Sequence, residues 1–209
     1  MPIPVAPHPL LDARCLLATW PSPPRGLAPP GWLDALCGAE APAGLPFGPP
    51  TPDEVKAVRD LFRATGFKPA GRSKPCSEYI RKVAEQGAFP RIDPAVDLTN
   101  AAALHGALPV STLDVDRAAG PLRIDVAPAG TSIVFNASGQ QLDVGCLPCV
   151  FDAEGPVADA VKDSQRTKVG EQTLRTLTVV WGTTALPART DALARWLAER
   201  LVALGATLA

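Results

Sequence analysis

The sequence predicts an α+β fold: a single domain with a mixed, mostly antiparallel sheet and about four helices. Three observations lead there. Helix-start signals and helical apolar spacing cluster between residues 51 and 106 and return near the C-terminus. Residues 120 to 182 instead read as short apolar runs broken by turns, so helices and strands come in separate runs and not in βαβ alternation. No internal repeat with a period of roughly 20 to 50 residues is visible, which removes solenoids and propellers. With 209 residues, 46% apolar and 20% charged, the chain has the length and composition of one sizeable soluble core. Residues 1–50 read as a proline-rich N-terminal arm packed on the domain, and residues 51–209 as the domain itself.

The arm holds about half of the prolines, in pieces such as Pro21-Ser22-Pro23-Pro24 and Pro49-Pro50. Proline cannot donate to a β-ladder and interrupts helices, so loop and short edge strand are expected, the best strand being Leu16 to Trp20. Gly31 to Leu36 suits a helical turn around Trp32. Trp20, Trp32 and several leucines argue that the arm wraps onto the core. Thr51-Pro52-Asp53-Glu54 then forms a capping box, and Val55, Val58, Leu61 and Phe62 make one buried stripe before Gly66 ends the helix. A further helix from about Pro75 to Gly87 carries Cys76, Tyr79, Ile80 and Val83 on one face, with Arg72, Lys74, Arg81 and Lys82 at its entrance and outer side.

The stretch from Phe89 to Asp116 is the most informative. Asp93-Pro94 reads as an N-cap followed by a proline with no N–H to lose, and Gly106 closes the helix. Leu108 to Asp114 alternates as a strand, which brings Thr99 and Ser111 toward one cleft. Later strands are expected at Leu122–Val126, 131–136, 141–144, 149–152 and 174–181, the last with two apolar faces that suit the interior of a sheet. Thr190-Asp191 caps a final helix whose Leu193, Trp196, Leu197, Leu201 and Leu204 face the sheet.

Val96-Asp97-Leu98-Thr99-Asn100 and, after a helix, Pro109-Val110-Ser111-Thr112-Leu113-Asp114 resemble the V-D-x-T-N and P-x-H-A-F-D strings of the B3/B4 module of the phenylalanyl-tRNA synthetase beta subunit, and the two halves line up with the family pattern without a gap. Ser77-Glu78 and the Pro90 to Asp97 stretch are similar to the S-x-E helix and P-x-I-x-P-x-V-D string of free-standing B3/B4 proteins. The resemblance covers roughly residues 67 to 182 and is stronger in its first half. It implies a B3/B4-like fold and trans-acting hydrolysis of the ester in a mischarged aminoacyl-tRNA. Thr99 and Ser111 are then the catalytic candidates, with Asn100, Asp97, Gln165, Arg166 and Thr167 holding substrate. No cofactor is implied. The partner is the acceptor end of a tRNA, phenylalanyl-tRNA or another mischarged one, gripped weakly and locally; neither DNA nor a membrane is expected.

Two departures from the family pattern stand out. Ser111 replaces the module's pocket histidine, keeping a donor but no titratable ring. Where a glycine-rich loop and a tyrosine-reading glutamate are expected, the chain has residues 160–167 without a glycine pair, and Val179, Val180 and Trp181. Selectivity for a hydroxyl rests on a paired polar group, so preference for tyrosine over phenylalanine is not expected.

Composition and motifs limit the alternatives. A formal net charge of −1 supplies no global field toward nucleic acid, so RNA contact must be local. The start, MPIPVAPHPLLD, has neither a basic n-region nor a continuous apolar run, and cytoplasmic residence is the expectation. Cys15, Cys37, Cys76, Cys146 and Cys149 are odd in number and irregular in spacing, which argues against a disulfide framework. Cys146 and Cys149 form a C-x-x-C without a second ligand pair, so a thiol or zinc role is the least favoured reading. No G-x-S-x-G, H-E-x-x-H, Walker or G-x-G-x-x-G motif occurs, and His8 and His105 are poorly placed as bases. An activated ribose ester needs no strong protein base, because positioning and oxyanion stabilisation can suffice. A non-catalytic binder of tRNA ends or amino-acid-like ligands is the alternative.

Overall fold

The computed structural model describes residues 3–209. In chain order its elements are β1 (Leu11–Thr19), α1 (Gly31–Leu36), α2 (Pro52–Arg63), α3 (Cys76–Glu85), α4 (Pro94–Gly106), β2 (Val110–Asp114), β3 (Arg123–Val126), β4 (Ser132–Val134), β5 (Gln141–Asp143), β6 (Pro148–Asp152), β7 (Gly155–Asp159), β8 (Arg175–Thr183), α5 (Pro187–Ala203) and β9 (Thr207–Leu208). This is a mixed α+β domain. A four-stranded antiparallel sheet runs β2-β8-β1-β9, beside a three-stranded sheet β3-β6-β7 and a β4-β5 hairpin.

β8 is central, as its two apolar faces predict: Val179 pairs with Ser111 on one side and Cys15 on the other. The proline-rich arm does more than wrap. Its strand is nine residues long, starts at Leu11, and pairs with β8 along its whole length, because the prolines fall outside Leu11–Thr19 and leave every ladder N–H available. Trp20, just after β1, donates from Nε1 to Thr176 Oγ1 at 3.0 Å and ties the arm to β8 again.

Local signals explain the helices. Thr51 and Glu54 cap α2 reciprocally, and Glu54 also accepts from Arg189 Nε at 2.6 Å, so one carboxylate joins the start of α2 to α5. Arg59 and Glu78 link α2 to α3 at 2.6 Å. Asp93 accepts from the backbone N–H of Ala95 and Val96, each at 3.0 Å, and Pro94 occupies the first turn of α4. α4 is almost wholly buried; only Val96 and Asn100, four residues apart on one face, are open.

Two helix boundaries differ from the sequence reading. The left-handed stop of α4 is Ala107, with φ 65°, and Gly106 is still helical. Glycine serves a different purpose there: a Cβ on Gly106 would lie 2.5 Å from Cδ2 of the buried Leu193, so its absence lets α4 and α5 approach closely. α5 begins at Pro187 and not at Thr190, whose hydroxyl bonds back to the Leu186 carbonyl at 3.0 Å inside the first turn. β7 follows β6 through a tight connection and has no counterpart among the expected strands.

Among the described residues no helix is long and apolar enough to cross a membrane. A second close approach locks α5 onto the sheet: a Cβ on Gly182 would meet the Thr190 side chain and lie 2.6 Å from the Asp12 carbonyl oxygen. Gly182→Ala is therefore expected to lower stability by about 1–3 kcal/mol through overpacking. The change should appear as a lower urea midpoint at unchanged slope, and an unshifted midpoint would refute the packing account.

Candidate functional site

A cavity of about 430 Å³ opens where α3, α4, β2 and the end of β7 converge, a size within the usual range for small-ligand sites. The open stripe of α4 supplies Val96 and Asn100, with Thr99 beside them. α3 supplies Cys76, Tyr79 and Ile80; β2 supplies Val110, Ser111 and Thr112. Phe135 and Asn136, just beyond β4, close one side, and Asp159, Lys162, Asp163 and Lys168 close another. Tyr79 and Ile92 are among the most exposed large apolar side chains, and both stand on this cavity.

Thr99, Asn100 and Ser111 thus line one hollow. The hydroxyls of Thr99 and Ser111, however, are engaged within the fold. Thr99 Oγ1 donates to the Ala95 carbonyl at 2.9 Å, the back-bond of a helical threonine. Ser111 is buried; its Oγ accepts from Trp181 Nε1 at 2.8 Å and donates to the Asp159 carbonyl at 2.6 Å. The Ser111 proton is committed, so this hydroxyl positions and does not attack. Cys76 is no better a nucleophile, since burial pushes its thiol up to about 12.

The remaining expected site residues lie elsewhere. Asp97 does not line the cavity: it accepts from Arg91 Nε and from the backbone N–H of Ile92, both at 2.7 Å, and so fixes the segment that places Ile92 on the rim. Arg166 grips Asp152 with both terminal nitrogens, at 2.6 and 2.8 Å. Burial pushes the Asp152 carboxyl up, but Arg166 and the N–H groups of Ala119 and Glu154 outweigh it and hold the group well below the usual carboxylate range. Thr167 is buried with its hydroxyl on the Val157 carbonyl, and Gln165 stands outside the cavity lining. His105 bonds through Nε2 to the Leu36 carbonyl, at the end of α1, and burial lowers its pKa. Cys149 is buried in β6 and Cys146 occupies a left-handed turn; no group of three or more metal-type ligands occurs among the described residues.

The carboxylates of the cavity were not legible beforehand. Asp159 is 2% exposed; its Oδ1 accepts from the N–H of Val161 and Lys162, while Oδ2 has no partner. Asp163, four residues on, likewise keeps Oδ1 shut from solvent and unpartnered. Burial raises the Asp159 carboxyl to about 7 against those N–H bonds; burial and then the Asp159 charge raise Asp163 to about 8. The cations nearby are occupied: Lys168 Nζ donates to the Phe135 carbonyl at 2.6 Å, and Lys162 sits 4.0 Å from the Phe135 ring centroid. Burial lowers the Lys168 pKa, partly offset by the Asp163 charge. The available sequence signal was two aspartates at helical spacing straight after the apolar run Val157-Ala158.

No protein-family model matches the chain, and a comparison with curated proteins found no match. Among solved structures, one described as the TILS C-terminal domain aligns at a TM-score of 0.30 and 17% identity, over 36% of this chain and 70% of that one. A likeness that slight carries no argument about fold or activity.

Two outcomes follow from the charges. A carboxyl raised in the folded state favours folding fully below its unfolded value of 3.8 and loses that contribution as pH rises through the folded value near 7. Asp159→Asn keeps the Oδ1 acceptor and removes the titration, so its melting temperature should exceed the parent's at pH 8, with the gap narrowing toward pH 5. A gap independent of pH would contradict the burial of an uncompensated acid. Arg166→Ala strands the fully buried Asp152 carboxylate, and the expected loss is about 2 kcal/mol, below the ~3–5 of a wholly buried pair because Arg166 is a third exposed. Denaturant unfolding at pH 7 checks it.

Proposed function

We propose that the chain is a trans-acting deacylase that hydrolyses the ester of a mischarged aminoacyl-tRNA. The observation that carries this reading is the meeting of Thr99, Asn100 and Ser111, the positions of the B3/B4 resemblance, on one open cavity of about 430 Å³. The apolar wall of Ile80, Val96, Val110 and Val161 accepts the acyl side chain. Lys162, whose ammonium rests on the Phe135 ring without a carboxylate partner among the described residues, leaves positive charge on the cavity lining for a local hold on phosphate.

Chemistry follows from what these residues can do. Ser111 and Thr99 have their protons engaged, so no acyl-enzyme forms on either. Water adds to the ester carbonyl, positioned by the neighbouring ribose hydroxyl of the substrate, and the Asn100 amide donates to the oxygen on which charge develops. The ester C–O bond then breaks, the ribose oxygen leaves with one proton of the water, and the amino acid departs as its carboxylate with the second proton released to solvent. Nothing in this sequence of events calls for a metal or an organic cofactor. The cytoplasm, where charged tRNA is used, is the proposed location.

A second reading, a binder of tRNA ends or amino-acid-like ligands without turnover, is favoured by the same engaged hydroxyls. Incubation with a panel of mischarged tRNAs separates the two. Deacylation of at least one member is expected, and Asn100→Ala should slow it about 10²-fold or more, the usual effect of removing an oxyanion donor. Ester lifetimes unchanged across the panel would remove the hydrolase reading, and saturable tRNA protection without turnover would establish the binder.

A further inference from the structure

The buried acids at the floor of the cavity have no role in that chemistry. Asp159 Oδ2 and Asp163 Oδ1 both lack any partner, and they come from the end of β7 and from the turn beyond it, so two separate backbone positions deliver them to the same hollow. An unpaired buried carboxylate oxygen is costly, and what the fold offers in return, such as the N–H groups of Val161 and Lys162 and the Lys162 charge at Asp159, does not outweigh burial. Lys162 and Lys168 are held by the ring and carbonyl of Phe135, and the thiols of Cys76 and Cys149 are kept protonated by burial. The arrangement is held firmly all the same: Asp159 Oδ1 is fixed by two backbone N–H groups, and its carbonyl is fixed by Ser111.

We propose that Asp159 and Asp163 form a subsite for the free α-ammonium group of the ligand, so that the site takes primary amines and rejects their N-acylated forms. An ammonium brings three N–H donors and one positive charge, which match the two orphan oxygens and leave a third donor for another acceptor of the same lining, such as the Asn100 side-chain carbonyl. A divalent metal is a poorer match. Calcium wants six to eight oxygen ligands, and among the described residues no third metal-type side chain joins the pair. A neutral hydroxyl would satisfy one oxygen and leave the other bare. Burial also raises both carboxyls, so the empty site holds protons that an arriving ammonium displaces. The identification of this amine with that of an aminoacyl ester rests on the deacylase reading; the amine preference itself does not.

Phenylalaninamide and leucinamide, which keep the amine and replace the ester by a stable amide, are the probes, each beside its N-acetyl counterpart. Ligands this small bind in the millimolar range, so calorimetric titration of the full chain is carried to about 10 mM. Saturable binding of the free amines is expected, with proton release at pH 6.5 revealed by the dependence of the heat on buffer ionisation, and with the N-acetyl forms at least ~10-fold weaker. Asp159→Asn and Asp163→Asn should each weaken amine binding at least ~10-fold while leaving the N-acetyl forms unchanged, with melting curves confirming that both variants fold. Equal binding of acetylated and free forms, undiminished binding by both variants, or no binding of either amine would overturn the proposal. The two readings fail separately. Aspartate-dependent amine binding with intact tRNA esters would keep the subsite and end the deacylase, whereas equal deacylation of aminoacyl- and N-acetylaminoacyl-tRNA would do the reverse.

Discussion

The hydroxyl of Ser111 joins the parts of this molecule that make its cavity. On one side it accepts from Trp181 in the central strand of the larger sheet; on the other it donates to the carbonyl of Asp159, the last residue of the smaller sheet. β2 is an edge strand, and an edge ordinarily offers unpaired backbone groups to whatever comes near. Here the end of β7 covers it through a side chain. That bridge fixes the Asp159 backbone against β2, while the N–H groups of Val161 and Lys162 fix its carboxyl. All three groups are buried, so the bonds work in a medium where an unmade bond is expensive.

α4 is the second constraint. A helix that is apolar nearly all round must be enclosed, and the chain surrounds it with α1, α3, α5 and β2. Enclosure is complete except along Val96 and Asn100, which explains why a cavity exists there. Asp93 and Asp97 belong to this scaffold: one caps the helix, the other holds the Arg91-Ile92 segment that forms the rim.

The acids of the chain divide by what they meet. Asp152 is sealed, yet a bidentate guanidinium and several N–H groups keep it charged, and it works as structure. Asp159 and Asp163 each keep one carboxylate oxygen without a hydrogen-bond partner among the described residues, and burial raises both groups instead of lowering them. The contrast also accounts for Arg166. A polar cluster beside a cavity looks like a ligand grip in one dimension; in three, its guanidinium neutralises a neighbour.

Local chemistry was readable from the residues. The capping box at Thr51, the Asp93-Pro94 helix start, the left-handed Gly66 and the two-faced pattern of β8 all depend on side chains within a few positions of one another, so the α+β class and the pairing of Thr99 with Ser111 across a helix–strand unit could be inferred. Long-range decisions were not readable. That β1 spans the main sheet, that Gly106 and Gly182 are glycines for the sake of α5, and that Asp159 and Asp163 each keep one carboxylate oxygen shut from water without a partner depend on segments dozens of residues away. Helix and turn preferences are set by neighbours in sequence, whereas close approach and desolvation are set by neighbours in space, and those exist only once the chain has folded.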